Sequence, residues 1–529
     1  MYTCSWIREP KYPQNTKLFY NKLLKYYRFG YIIYICHTVP KHSANANIKN
    51  KDGLFMSEKE TIGMTEETKE LSPAEKAKKK KRNYTIAKIV VALCVVLCIV
   101  LSVFEMGFTY RTLKAVEVEG TEYSVAEYNW LYTNSLYEVY ADLYNSYGDL
   151  AAYFLNPQQP LDEQEYSEEE TWHDYIKSYT ESTFETMTAL YNEAVANGYE
   201  MPQEQYDAIN AEWEAVEATA KASGYSANSY AEMNYGRGVN EKVFKSIMER
   251  YYYAFSYAKD VRDNEEVSSS DIDARYEENA ADFDRVSYRY YYIDATPVDD
   301  EAKEAALADA KAEAEEILNG TKEVELTENR YSVKANLNPL YADWLFDAAR
   351  VSGDKEIFES ENAVYVVEFV EKNDIHYNTV DVRHILVAPS NTEDEAAWQE
   401  ALAKAEEYKA EWEEMGATEE NFAEVAAKYS ADGNAAQGGI YENVFKGQMV
   451  AEFEDWCFDE ARKAGDSGIV KTSYGYHIMY FVGEAEEFYS YVIGETVKDE
   501  RYSEYVEALV EGVEANELAG AKFGGKHYN

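Results

Sequence analysis

Two stretches of this 529-residue chain are copies of one another, and the repeat limits the possible folds more than any other feature. DWLFDAARVSGDKEIFESENAVYVVEFV (343–370) matches DWCFDEARKAGDSGIVKTSYGYHIMYFV (455–482) at a constant offset of 112. The match pairs Trp344 with Trp456, Phe346 with Phe458, Arg350 with Arg462, Gly353 with Gly465 and Phe369 with Phe481. Upstream, SYRYYYIDATP matches DVRHILVAPSN at an offset of 94, placing Arg289 opposite Arg383 and Tyr290 opposite His384. Each copy reads as an alternating strand, Ala/Glu/Lys-rich helices and a returning strand. The change of offset makes the first copy 18 residues shorter, with the missing material expected around KYSADGNAAQGGIYENVFKGQM.

Charge divides the chain a second way. Residues 1–82 hold 17 basic and 8 acidic side chains, whereas 83–529 hold 34 and 90. The total of −47 excludes a general nucleic-acid binder, which needs clustered cations. At the border, Lys78–Arg82 precede an uncharged apolar run from Ile89 to Phe104, 16 residues long. Crossing a bilayer takes about 20 residues. Snorkelling by Lys88 and extension to Phe108 give an expected transmembrane helix over 84–108, with 1–83 as a basic cytoplasmic tail and the acidic bulk outside the cell. The alternatives are a cleaved signal peptide and a buried core helix; no small-residue cleavage site follows Phe104. Residues 1–55 read as an over-extended start or a disordered tail. Of five cysteines only Cys457 lies beyond the span, so no intrachain disulfide can form there.

Residues 116–280 read as an all-helical domain. Ser124 and Glu127 have capping-box spacing, and Tyr132, Leu136, Val139, Tyr140, Leu143 and Tyr147 follow at helical intervals. Further helices are expected near 169–197, 203–222, 228–236 and 240–262, and Ser270 is the expected cap of another. The chain's 50 tyrosines either fill helix cores or line a surface that holds extended apolar segments.

Residues 381–484 resemble a parvulin-type peptidyl-prolyl cis/trans isomerase: VRHILV, FAEVAAKYSADGNAAQGG, KGQMVAEFEDWCF and GIVKTSYGYHIMYF occur in order and at family spacing. The helical region before them, especially VNEKVFKSIMERYYYAFSYAKDV, resembles SurA/PrsA-like foldases more loosely. The resemblance implies His384 and His477 as paired histidines at the floor of a site, Asp432 at the family's Cys/Asp position, and Met449 and Phe453 as an apolar cup for proline. Tyr474 stands where a serine or threonine is frequent, GGIYENV replaces a GGDLGWF-like stretch, and Val450 replaces a glutamine found in some members. Two strand histidines taken alone are more often a satisfied core pair; the motif series reverses that preference. Zinc is disfavoured because no further Cys/His cluster accompanies them.

The expected fold class is therefore α+β: one transmembrane helix, a helical chaperone-like domain (116–280), a degenerate parvulin-like unit (281–372), a parvulin-type isomerase domain (377–484) and a C-terminal helix and tail (485–529). The first unit is expected to be catalytically silent, with Tyr290 and Tyr365 at its histidine positions. The resemblance implies folding of exported, proline-containing polypeptides at the outer face of the cell membrane, without cofactor, metal or nucleic acid. The rival is a non-catalytic holdase whose parvulin units are scaffolds.

Overall fold

The computed structural model describes residues 72–105, 107–298 and 302–525. The tail expected at 1–83 lies outside the described residues up to position 71. The helices and strands in chain order are α1 (Pro73–Glu105), α2 (Phe108–Thr112), β1 (Lys114–Val118), β2 (Thr121–Ser124), α3 (Val125–Tyr147), α4 (Ala151–Phe154), α5 (Trp172–Ala196), α6 (Gln203–Ser223), α7 (Ala227–Tyr235), α8 (Glu241–Asp263) and α9 (Ser269–Glu278). The first repeat then supplies β3 (Arg285–Asp294), α10 (Lys303–Leu318), β4 (Thr327–Val333), α11 (Pro339–Leu345), β5 (Lys355–Glu359) and β6 (Ala363–Asn373). The second supplies β7 (Asn378–Val387), α12 (Glu395–Glu414), α13 (Glu419–Tyr429), β8 (Ile440–Val444), α14 (Ala451–Cys457), β9 (Ser467–Thr472) and β10 (Gly475–Glu487), followed by α15 (Phe488–Val510) and β11 (Asn516–Glu517). The chain forms two compact units: one joins the described residues through Asp260 to those from Tyr505 onward, and the other is Val261–Glu504.

The first unit departs from the all-helical expectation. Lys114–Ser124 fold as a hairpin whose turn residues, Glu119 and Gly120, both take positive φ (48° and 79°), as a two-residue turn of right-handed strands requires. β11 completes a three-stranded sheet by pairing Glu517 with Val116. Such a short hairpin is marginal alone, and its third strand is too remote in sequence to be read from local pattern. The expected capping box is present: the Ser124 hydroxyl accepts from the Glu127 amide, and the Glu127 carboxylate accepts from the Ser124 amide at 2.7 Å. Tyr128, Trp130, Tyr132 and Leu136 bury the first half of α3, with Tyr128 stacked on Phe184 of α5 at 5.8 Å. The second half emerges to solvent, so Tyr147 lies outside the core. The cap of α9 is Ser268, paired with Asp271, and not Ser270.

The single transmembrane helix expected at 84–108 is not supported. α1 is continuous over 33 residues, but among the described residues no helix is long and apolar enough to cross a membrane. Lys78–Arg82 and Lys88 occupy its first half and confine the uncharged run to 16 residues, below the ~20 that span a hydrocarbon core.

The second unit holds two four-stranded antiparallel sheets of identical topology, β4-β3-β6-β5 and β8-β7-β10-β9. Their registers coincide: Tyr290 faces Val367 as His384 faces Met479, and Tyr292 faces Tyr365 as Leu386 faces His477. The missing material is narrower than expected. β4 is present where β8 stands in the second repeat, so the lost piece is α13 and the loop after it, which carries Asp432. α9 and α15 pack together through Ile272, Phe283, Ile493 and Val497. There the nearly buried Arg262 donates to Asp499 at 2.5 Å and to Glu495 at 2.8 Å, giving a charge pair enough partners to be held out of water.

Candidate active site

β7 and β10 are the central strands of the second sheet, and alternation along them points Val382, His384 and Leu386 to the face reached by His477. His477 is opposite Leu386, so the two histidines are diagonal neighbours on one face, close enough for their rings to meet. Their Nδ1 atoms are 3.0 Å apart and both residues are buried. Beyond them, Thr472 Oγ1 lies 2.9 Å from His477 Nε2, and Asp432 Oδ2 lies 3.6 Å from His384 Nε2.

The order of these groups selects a proton arrangement. The Thr472 oxygen accepts the Tyr474 amide at 3.1 Å and keeps its O–H to offer to His477 Nε2 when that nitrogen carries no proton. With the Asp432 carboxylate 3.6 Å from His384 Nε2, beyond hydrogen-bond length, the arrangement that suits it electrostatically has His477 donating from Nδ1 to His384 Nδ1 and the His384 proton on Nε2, which itself makes no hydrogen bond. The reverse arrangement would aim a lone pair at a carboxylate. Asp432 is itself fixed, accepting the Asn434 amide at 3.0 Å and the Tyr441 hydroxyl at 3.2 Å. Burial, and then the neighbouring His384, depress the His477 pKa to about 4, so the imidazole is neutral at physiological pH.

Apolar groups frame this line. Phe453, from α14, stands edge-on to both imidazoles, with ring centres 5.5 Å from His384 and 5.4 Å from His477. Met449 is half-buried in the same cluster, with Val382, Val444 and Phe481. Phe453 is only 2% exposed, so it belongs to the core as much as to a cup. Tyr474 is 62% exposed at the tip of the β9–β10 turn. The hydroxyl sought at position 474 is supplied instead by Thr472, and GGIYENV supplies Tyr441; neither residue was singled out from sequence. Gly439 allows the loop to press on β7, because a Cβ there would lie 2.1 Å from the His384 carbonyl oxygen. Among the described residues no group of three or more His, Cys, Asp or Glu is placed to hold a metal.

In the first repeat the corresponding positions are filled with aromatic rings. Tyr341 stands where Phe453 stands and meets Tyr365, at the His477 position, with ring centres 5.8 Å apart and edge-on. Tyr288 and Tyr290 pack into the same cluster.

Residues 364–484 match the family described as PPIC-type PPIASE domain. This stretch is similar to peptidyl-prolyl isomerase domains. The chain is also similar to curated foldases. Foldase protein PrsA 1 of Listeria innocua is 33% identical over 109 residues, 20% of this chain and 32% of the relative. Chaperone SurA of Cupriavidus metallidurans is 31% identical over 134 residues, 23% of this chain and 25% of the relative. The chain thus spans about a third or less of these relatives' length in each match. The crystal structure of PrsA from Bacillus subtilis aligns with 68% of this chain and 93% of its own, at 15% identity and a TM-score of 0.29.

Proposed function

We propose that this protein is an extracytoplasmic peptidyl-prolyl cis/trans isomerase and foldase for exported polypeptides, with its site in the second repeat. One observation carries the reading: the line Thr472, His477, His384, Asp432 lies beneath Phe453 and Met449. Rotation about X-Pro breaks no bond but must disrupt amide resonance, a barrier of about 18–20 kcal/mol. The twisted amide is less charge-separated than the planar one, so a buried, neutral surround favours it, and uncharged His477 fits that need. His384, His477 and Asp432 are assigned electrostatic and positioning roles, Met449 and Phe453 the proline ring, and Tyr474 the rim beside the substrate. The full chain should accelerate cis/trans exchange of an X-Pro peptide, and Asp432→Ala should slow it. A folded chain no faster than buffer would refute the assignment.

The covered Phe453 ring is the observation that favours a non-catalytic holdase, and the same assay separates the two. We assign the first repeat a silent, scaffolding role, since tyrosines fill its site and it lacks the segment equivalent to α13. Proline isomerisation by the first repeat alone, shown to be folded, would contradict that. Membrane attachment through 84–108 rests on the sequence alone. Protease added to intact, wall-stripped cells should digest the C-terminal part and spare an epitope near Ser57.

A further inference from the structure

The helical unit presents an aromatic surface that neither its core nor the isomerase site uses. Past Leu136, α3 leaves the core, and Tyr144, Tyr147, Leu150, Tyr153 and Phe154 stand 47%, 45%, 57%, 86% and 49% exposed. The turn that carries them is held in place. Ala151 and Leu155, on either side of the exposed pair, are fully buried, the Trp172 indole N–H donates to the Phe154 carbonyl at 2.6 Å, and the Tyr147 and Phe154 rings touch at 4.9 Å between centres. The Gln164 side chain bridges the Asn156 amide and carbonyl at 2.9 and 3.0 Å, which ties the following loop to this turn. That loop carries exposed Asp162, Glu163, Glu165, Glu168, Glu169 and Glu170. Across 115–172 there are 13 acidic residues and no lysine or arginine.

We propose that this face binds extended polypeptide segments in which lysine or arginine alternates with apolar side chains. This deepens the foldase reading by naming a client class, and it rests on that reading. The charge decides among occupants. An anionic bilayer would be repelled, and a second copy would bring the same acidic face. A basic, unfolded segment gains twice: its apolar side chains cover rings presented by an anchored turn, and its cations lie near carboxylates and over tyrosine faces.

The test uses the full chain and a fluorescent, proline-free peptide with lysine interleaved among leucine, phenylalanine and glycine, beside a counterpart with glutamate for lysine. The expected result is about tenfold tighter binding of the basic peptide at low salt, falling about tenfold by 0.3 M salt. Tyr153→Ser with Phe154→Ser should weaken it at least about fivefold. Glu168→Lys, Glu169→Lys and Glu170→Lys together should reverse the preference. Equal affinity for the two peptides, or no response to either set of substitutions, would overturn the proposal. Isomerase rates on a short X-Pro peptide are read on the same samples. Loss of that rate with binding intact would count against the isomerase reading and not against this surface.

Discussion

Replacing Thr472 with valine tests the proton order of the site, because it keeps the shape of the side chain and removes only the hydroxyl. His477 Nε2 would lose its donor at a buried position, and an unsatisfied buried nitrogen costs about 1–3 kcal/mol. The Tyr474 amide would also lose its acceptor, but at the tip of a turn where solvent can compensate, for about 0.5 kcal/mol. A loss of about 2 kcal/mol is expected, which for a unit of this size is a fall of about 4–8 °C in Tm. The substitution also removes the reason for His477 to accept at Nε2. The tautomers can then reverse, leaving a lone pair of His384 toward Asp432, and kcat/KM should drop about tenfold, equivalent to about 1.4 kcal/mol. Thermal melts, ring 15N shifts and X-Pro exchange measure the three effects. A variant that melts within a degree of wild type, with unchanged His477 shifts and full activity, would refute this proton order.

Three further outcomes are expected. Because the folded His477 pKa of about 4 lies below the unfolded value near 6.5, the unfolded chain takes up a proton first; this contribution to stability is intact above pH 6.5 and is lost as pH falls toward 4, by about 3 kcal/mol in full. Ring shifts should show His477 still neutral at pH 5. Gly439→Ala should abolish isomerase activity and destabilise the second unit, since its Cβ meets strand backbone at 2.1 Å, and a normally active variant would show that the loop can move away. In the helical unit, burial beside Tyr252 raises Glu212 to about 8, so its stabilising proton is lost as pH rises; Glu212→Gln should match wild type at pH 4–5 and exceed its stability in urea melts at pH 9.

Where pattern and neighbours lay within one segment, the sequence was readable. Ser124 and Glu127 announced their helix, and the motif resemblance paired the two histidines. Thr472 was missed because proximity along the chain is not proximity in a hairpin. Position 474 is nearer to 477 in number, but the turn carries it to the tip, while pairing of Thr472 with Gly475 brings residue 472 diagonally onto His477. Phe453 was legible as an apolar site residue, but not as one packed into the core. The hairpin at 114–124 was hidden for another reason: the strand that stabilises it lies about 400 residues away.

That last pairing has a consequence for synthesis. Val116 meets Glu517, and the Asn129 side chain accepts the Gly525 amide at 3.0 Å, so the unit that is begun first is finished last. While the ribosome adds the intervening residues, Val261–Glu504 can already close its own two sheets, whose pairings are all internal. The helical unit must wait with its first sheet one strand short. Loop closure over such a distance is slow, and an unpaired edge is a place where chains associate wrongly. A nascent chain truncated before residue 505 should therefore have a folded isomerase unit and an unfinished helical one, which pulse proteolysis of stalled chains would reveal.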